Sequence, residues 1–250
     1  MVLVESIGKD FFDPKKGKIC AVEDMSFEAK PGQTFGLLGV NGAGKTTILR
    51  MLSTLLKPSR GKAMINCLDV SADSQKVRES IGFLSTSTAL YSRLTGLECL
   101  EYFGSLYGLD GNKLRSRINY VTETLDLGDY YGQLCDKMST GQKQRISIAR
   151  AILHDPPVVF FDEPTAGLDV VTSQTVLEFI ELSKAQGKTV VFSTHIMSEA
   201  ERICDNIAIV HKGKRLAMGS LQEILGATGS STLESAFLSL VGYRSEVANQ

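Results

Sequence analysis

The stretch "GVNGAGKT" (Gly39 to Thr46) constrains this chain more than any other. It fits G-x-x-x-x-G-K-[ST], and its first glycine ends a short apolar run, "QTFGLLG". After it, Ile48, Leu49, Met51, Leu52, Leu55 and Leu56 recur at helical spacing until Lys57-Pro58. Strand, glycine-rich loop and helix in that order make a phosphate-binding loop. Gly39 and Asn41 open it. Gly42 and Gly44 let the backbone curl so that its N–H groups face an anion, and the helix N-terminus adds a favourable dipole. Lys45 supplies charge to β- and γ-phosphates. Thr46 is expected to hold Mg²⁺ through its hydroxyl, and Thr47 to reach the α-phosphate. A glycine-rich turn with a solvated lysine is the alternative, and the flanking strand and helix weigh against it.

Downstream, "VVFFDE" runs apolar into Asp162 and Glu163. Buried parallel strands read as continuous apolar runs, and their C-terminal ends face the ligand crevice. Asp162 is therefore expected to hold the metal and Glu163 to polarise an attacking water. The strand "TVVFSTH" places His195 on the same edge, within reach of a γ-phosphate. His154 and His211 have no such context.

The strand–helix alternation continues through "NIAIVHKGKRLAMG", two strands around Lys212-Gly213. The segment from about Thr86 to Met138 differs in texture and reads as helical. The expected fold is α/β: a P-loop NTPase core with a mixed sheet, an antiparallel part built from short strands in the first thirty residues, and a helical insert. One domain of 1–240 is expected, with the insert at about 86–144 and a tail at 241–250.

The composition excludes several classes. Of 250 residues, 43% are hydrophobic and 22% charged, as in ordinary globular proteins, and the net charge of −1 gives no nucleic-acid footprint. No apolar run reaches the roughly 18 residues of a membrane-spanning helix, and the first residues lack a signal-peptide pattern. A cytoplasmic protein that meets the membrane only through a partner is expected. Five scattered cysteines, with no C-x-x-C pair, read as reduced thiols.

One further start signal is unusual. "MSTGQ" places Ser139 and Gly141 at the head of an amphipathic helix whose first N–H groups need acceptors. A self-contained Ser N-cap is one reading. The other comes from the order of motifs: phosphate loop, "MSTGQ", "VVFFDE", "AGLD" (Ala166 to Asp169) and "STH". In this order, over about residues 2–242, the chain resembles the nucleotide-binding subunit of an ATP-binding cassette (ABC) transporter. The resemblance implies ATP and Mg²⁺ as ligands and a membrane permease as partner. It also implies a head-to-tail homodimer, or a heterodimer with a second cassette subunit. There Ser139, Gly141 and Gln142 would cap the γ-phosphate on the partner subunit, and Asp169 would lie between the two sites. A ring at Phe11, in the register Lys-x-aromatic, would stack on adenine; packing of Phe11 and Phe12 into the sheet is the alternative. No guanine-type N-K-x-D occurs.

Departures from the family pattern are Val40 for Pro, Met138 for Leu and Thr140 for the first Gly of the signature. Thr86 stands where the family has a Gln that touches metal and water. The stretches "LYSRLTGLECLEYFGSLYGL" and "IGFLSTSTALYSRLTG" resemble type-2 exporters, and within them sodium-efflux ATPase subunits. Tyr91, Leu94, Tyr102 and Tyr107 are candidate contacts to the permease. An ATP-hydrolysing exporter motor is thus expected; a soluble, non-transport ABC ATPase or a nucleotide-gated regulatory module is the alternative.

Overall fold

A computed structural model describes residues 1–15, 17–85 and 89–242; Thr86, whose replacement of Gln was singled out above, lies outside them. Among the described residues the chain builds one ten-stranded sheet. The half that carries the strand ends singled out above is parallel. The strands β3 (Thr34–Leu38), β6 (Ile81–Leu84), β7 (Val158–Asp162) and β8 (Thr189–Thr194) run in the order β3-β8-β7-β6. On the other side of β3 lies β9 (Asn206–His211), also parallel to it, followed by its antiparallel hairpin partner β10 (Lys214–Gly219).

Both faces of this half are covered, and the sequence says why. Along β7 successive side chains alternate between faces. Phe161 joins the cluster formed with Ile146, Ile148, Val176 and Ile180, while Phe160 joins the opposite one with Ile48, Leu49 and Leu52. A strand buried on both sides has no polar positions to alternate with, hence the unbroken "VVFF". The helices that supply these covers are α1 (Lys45–Leu52) on one face, and α5 (Thr140–Ile152) and α6 (Val170–Ala185) on the other.

The N-terminal half is antiparallel, as expected, but its strands are long rather than short. β1 (Val2–Asp13) pairs along most of its length with β2 (Gly17–Ala29), and also with β4 (Arg60–Ile65), which carries the two-residue β5 (Leu68–Asp69). Register shifts fall between Val4 and Asp10, and Ser6 takes a left-handed conformation at φ 47°. Bulges of this kind break the inside–outside alternation, so one bent strand reads as several short ones.

The helical insert comprises α3 (Gly96–Leu106), α4 (Gly111–Thr124) and the start of α5. Thr95 and Glu98 form a reciprocal cap that starts α3. α5 itself runs through to Ile152, so the insert and core share a helix across residue 144. A short α2 (Ser74–Ser80) precedes β6, and α7 (Met197–Ile203), α8 (Leu221–Thr228) and α9 (Leu233–Leu240) close the chain over β9. α1 stops at Leu52, short of the expected Leu56. Thr54 turns left-handed at φ 63°, and the Leu56 N–H returns to the Arg50 carbonyl. Among the described residues no helix is long and apolar enough to cross a membrane.

Candidate functional site

The phosphate loop connects the end of β3 to α1 at the centre of the parallel strands. Its shape is set by what surrounds it. The Gly39 N–H bonds the Thr194 carbonyl, tying the loop to the end of β8. A Cβ on Gly39 would lie 2.2 Å from the Val210 carbonyl oxygen of β9, so the first glycine is fixed by close approach. Gly44, the residue that starts α1, has φ 110° and faces the Ala21 carbonyl; no L side chain fits there. Gly42 is also left-handed, at φ 80°. The β9–β10 turn completes the support: the Gly213 N–H donates to the Ala43 carbonyl, and the Gly213 carbonyl accepts from the Glu23 N–H of β2.

These elements enclose a cavity of about 560 Å³ lined by Ile19, Cys20 and Ala21, by 41–47 of the loop and α1, and by Glu163, Lys212 and Gly213. Asn41, Gly42, Gly44, Lys45, Thr46 and Thr47 thus lie together, as the motif implies. Ile19, Cys20, Ala21 and Lys212 escaped the sequence reading. The turn at Lys212-Gly213 is legible, but the pairing that brings it and β2 beside the loop is not marked by any local motif.

Lys45 is the centre of the charge arrangement. Its side chain is 3% exposed, and Nζ donates to the Gly39 carbonyl at 2.6 Å and the Val40 carbonyl at 3.2 Å. It also pairs with Glu163 Oε1 at 3.0 Å. Three donors meet three acceptors, which a buried ammonium requires. The second oxygen of Glu163 meets His195 Nδ1 at 3.2 Å. Glu163 therefore bridges the loop lysine and the histidine at the end of β8. Its backbone is left-handed at φ 48°, a conformation rare for a residue with a side chain.

Asp162 sits one residue earlier, 1% exposed. Its Oδ1 accepts from the Thr46 hydroxyl at 3.0 Å and the Ser193 hydroxyl at 2.8 Å. Its Oδ2 is buried and has no hydrogen-bond donor among the described residues. Burial pushes the carboxyl pKa up; the hydroxyl bonds from Ser193 and Thr46 oppose it.

The remaining expected residues lie elsewhere. Ser139 caps α5: its Oγ accepts from the Gln142 N–H at 3.2 Å, and Gln142 Oε1 returns to the Ser139 N–H at 2.9 Å. The helix start is thus capped from within, although a hydroxyl that accepts keeps its own O–H as a donor. Gly141 has a local reason. A Cβ there would meet Thr172 Oγ1 at 2.9 Å, so glycine lets α5 approach α6. Thr172 in turn donates its N–H and hydroxyl to Asp169, at 2.9 and 2.8 Å, and these bonds hold the Asp169 carboxyl pKa below its usual value. The signature and the "AGLD" loop are therefore one packed unit. Ser139, Gly141, Gln142 and Asp169 do not line the cavity. Nor does Phe11, which is 41% exposed with Lys9 Nζ 5.3 Å from its ring centre, although its cross-strand partner Ile19 does.

Lys45→Ala removes the cation and leaves the Gly39 and Val40 carbonyls and Glu163 Oε1 without their buried partner. With no cation left to meet the phosphates, ATP binding is expected to fall at least about 100-fold, within the ~2–5 kcal/mol that truncating one partner of a buried charge pair costs in binding. Equilibrium titration with a fluorescent ATP analogue checks this; an unchanged dissociation constant contradicts it.

Residues 22–166 match the family model described as ABC transporter. The chain is 39% identical over 229 residues to the ABC transporter ATP-binding protein NatA of Bacillus subtilis (strain 168), covering 91% of this chain and 93% of that protein. Its fold is similar to a solved ATP-binding subunit of an ABC transporter, with a TM-score of 0.86 and 29% identity over 96% of this chain and 99% of that one. It is also similar to the ATP-binding cassette MJ0796, solved as a dimer in a post-hydrolysis state with ADP and phosphate, with a TM-score of 0.80 and 27% identity over 88% and 99% of the two chains. The loop that cradles Lys45, the acidic end of β7 beside it, and agreement in sequence and fold along nearly the whole chain lead to one assignment: the protein belongs to the ABC transporter family, as an ATP-binding, ATP-hydrolysing subunit.

Proposed function

We propose that this chain is the motor of an exporter, a single cassette of about 1–240 with its helical insert at 86–144, acting on a separate membrane permease from the cytoplasmic face. The observation that carries the reading is the convergence of Lys45, Glu163 and His195 on the phosphate loop. In the proposed cycle the phosphates of ATP take the acceptor places that Gly39, Val40 and Glu163 now fill around Lys45. Glu163, once released, takes a proton from the attacking water, and His195 turns from Glu163 toward the γ-phosphate.

Thr46 and Asp162 fit a divalent cation. The Thr46 hydroxyl donates a hydrogen bond to Asp162 and keeps lone pairs for a metal, and the buried Asp162 Oδ2 has no donor among the described residues. Mg²⁺ held there supplies positive charge to the phosphate oxygens.

A partner surface is also at hand. Tyr91 and Tyr102 are 54% and 46% exposed and meet edge-to-face, while Tyr107, just past the end of α3, stacks on His154. Exposed aromatic clusters of this kind suit a protein partner, and we assign this one to the permease. Sodium ion as cargo follows the resemblance of "IGFLSTSTALYSRLTG" to sodium-efflux ATPase subunits. The completed site needs two copies, with Ser139, Gly141 and Gln142 of one subunit facing the phosphates of the other and Asp169 between them. The O–H that Ser139 retains is the donor for that contact.

Two experiments follow. Glu163→Gln is expected to keep ATP binding and lower hydrolysis at least about 100-fold, the range for loss of a general base. With ATP it should accumulate as a dimer and bring down a polytopic membrane protein in equal amount from detergent-solubilised membranes. Rapid hydrolysis contradicts the role of Glu163, and a homodimer with no membrane partner contradicts the transport reading. Ser139→Arg is expected to abolish the ATP-dependent dimer in sedimentation velocity while the monomer binds ATP unchanged; a persisting dimer contradicts the head-to-tail arrangement.

A further inference from the structure

Ser193 opens the "STH" stretch, in which only His195 has been given a role, yet it touches both acids at the end of β7. It lies on β8 directly opposite Asp162, and it is 0% exposed. Its hydroxyl donates to Asp162 Oδ1 at 2.8 Å and accepts from the Glu163 N–H at 3.1 Å, while its carbonyl accepts from the same N–H, also at 3.1 Å. One side chain therefore links the carboxylate of Asp162 to the backbone of Glu163.

We infer that Ser193 is a positioning residue for the divalent cation, fixing the Asp162 carboxylate so that one oxygen is held by hydroxyls and the other is presented to the cation. A carboxylate on a single bond to Cβ can rotate and exchange its two oxygens. The Thr46 hydroxyl alone would donate to the carboxylate in more than one orientation. The Ser193 hydroxyl, fixed in a fully buried strand, adds a second donor to the same Oδ1 from the β8 side. Both donors are satisfied together only when a single oxygen faces them, and the other is then left buried without a donor among the described residues. The residue thus works through a metal ligand, and such outer hydrogen bonds set ligand orientation and affinity in metal sites generally. The same hydroxyl holds the Glu163 N–H, so the left-handed turn that aims Glu163 at Lys45 and His195 is fixed from the same point.

This inference rests on the assignment of Thr46 and Asp162 to the cation, and the test separates the two. Mn²⁺ is titrated, with electron paramagnetic resonance as readout, into the full chain saturated with a non-hydrolysable ATP analogue. Nucleotide affinity is measured in parallel in excess EDTA. Ser193→Ala is expected to weaken Mn²⁺ binding about 10-fold and to leave metal-free nucleotide affinity and Tm near those of the unaltered chain. The isosteric pair Ser193→Thr and Ser193→Val repeats the contrast at equal volume, with Thr near the unaltered chain and Val matching the Ala loss. Equal Mn²⁺ affinity in the hydroxyl-bearing and hydroxyl-free variants overturns the role of Ser193. Absence of Mn²⁺ binding by the unaltered chain overturns the cation assignment itself, and this inference with it.

Discussion

The site depends on one buried cation and the means of satisfying it. Lys45 is almost fully enclosed, and an ammonium in such a place is tolerated only when its donors are paired. Here two loop carbonyls and Glu163 do so. That requirement shapes the rest. The loop must curl tightly enough for the Gly39 and Val40 carbonyls to point inward. β7 must end beside the loop, and Glu163 must leave the strand in a left-handed turn to reach Lys45 with one oxygen and His195 with the other. The parallel order of β3, β8 and β7 brings these three strand ends together. The apolar runs along the strands are what a sheet covered on both faces demands.

The same arrangement explains how a binding site can also be a switch. In the proposed cycle Glu163 and the phosphates of a nucleotide are alternative partners for Lys45. Binding would then exchange one set of acceptors for another and free the carboxylate proposed to act on water. Asp162 shows a complementary feature: its hydroxyl donors crowd onto one oxygen and leave the other buried, without a donor among the described residues. Ser193 connects the two acids.

Much of this was legible in the sequence where chemistry and chain position coincide. Gly39 to Thr46 between an apolar run and a helical repeat defined the loop, and "VVFF" before Asp162 and Glu163 defined a doubly buried strand end. Other parts were hidden for physical reasons. The bent β1 read as short strands because bulges near Ser6 disrupt its alternation. α2 buries only Val77, so its period is faint. α8 did carry a signal, the reciprocal cap between Ser220 and Glu223, ahead of a short apolar stretch. Ile19, Cys20, Ala21 and Lys212 reach the cavity through pairing of distant strands, and Ser193 through its register opposite Asp162; neither is written locally. Gly141 was read as a residue facing nucleotide, and the fold adds a closer reason, contact with Thr172.

The exchange at Lys45 is the central claim, and a crystal structure of the chain with Mg²⁺ and a non-hydrolysable ATP analogue tests it most directly. The account predicts the β- and γ-phosphate oxygens within hydrogen-bond distance of Lys45 Nζ and the Glu163 carboxylate moved off it. A nucleotide bound while the Lys45–Glu163 pair stays closed, with no phosphate at Nζ, would contradict it.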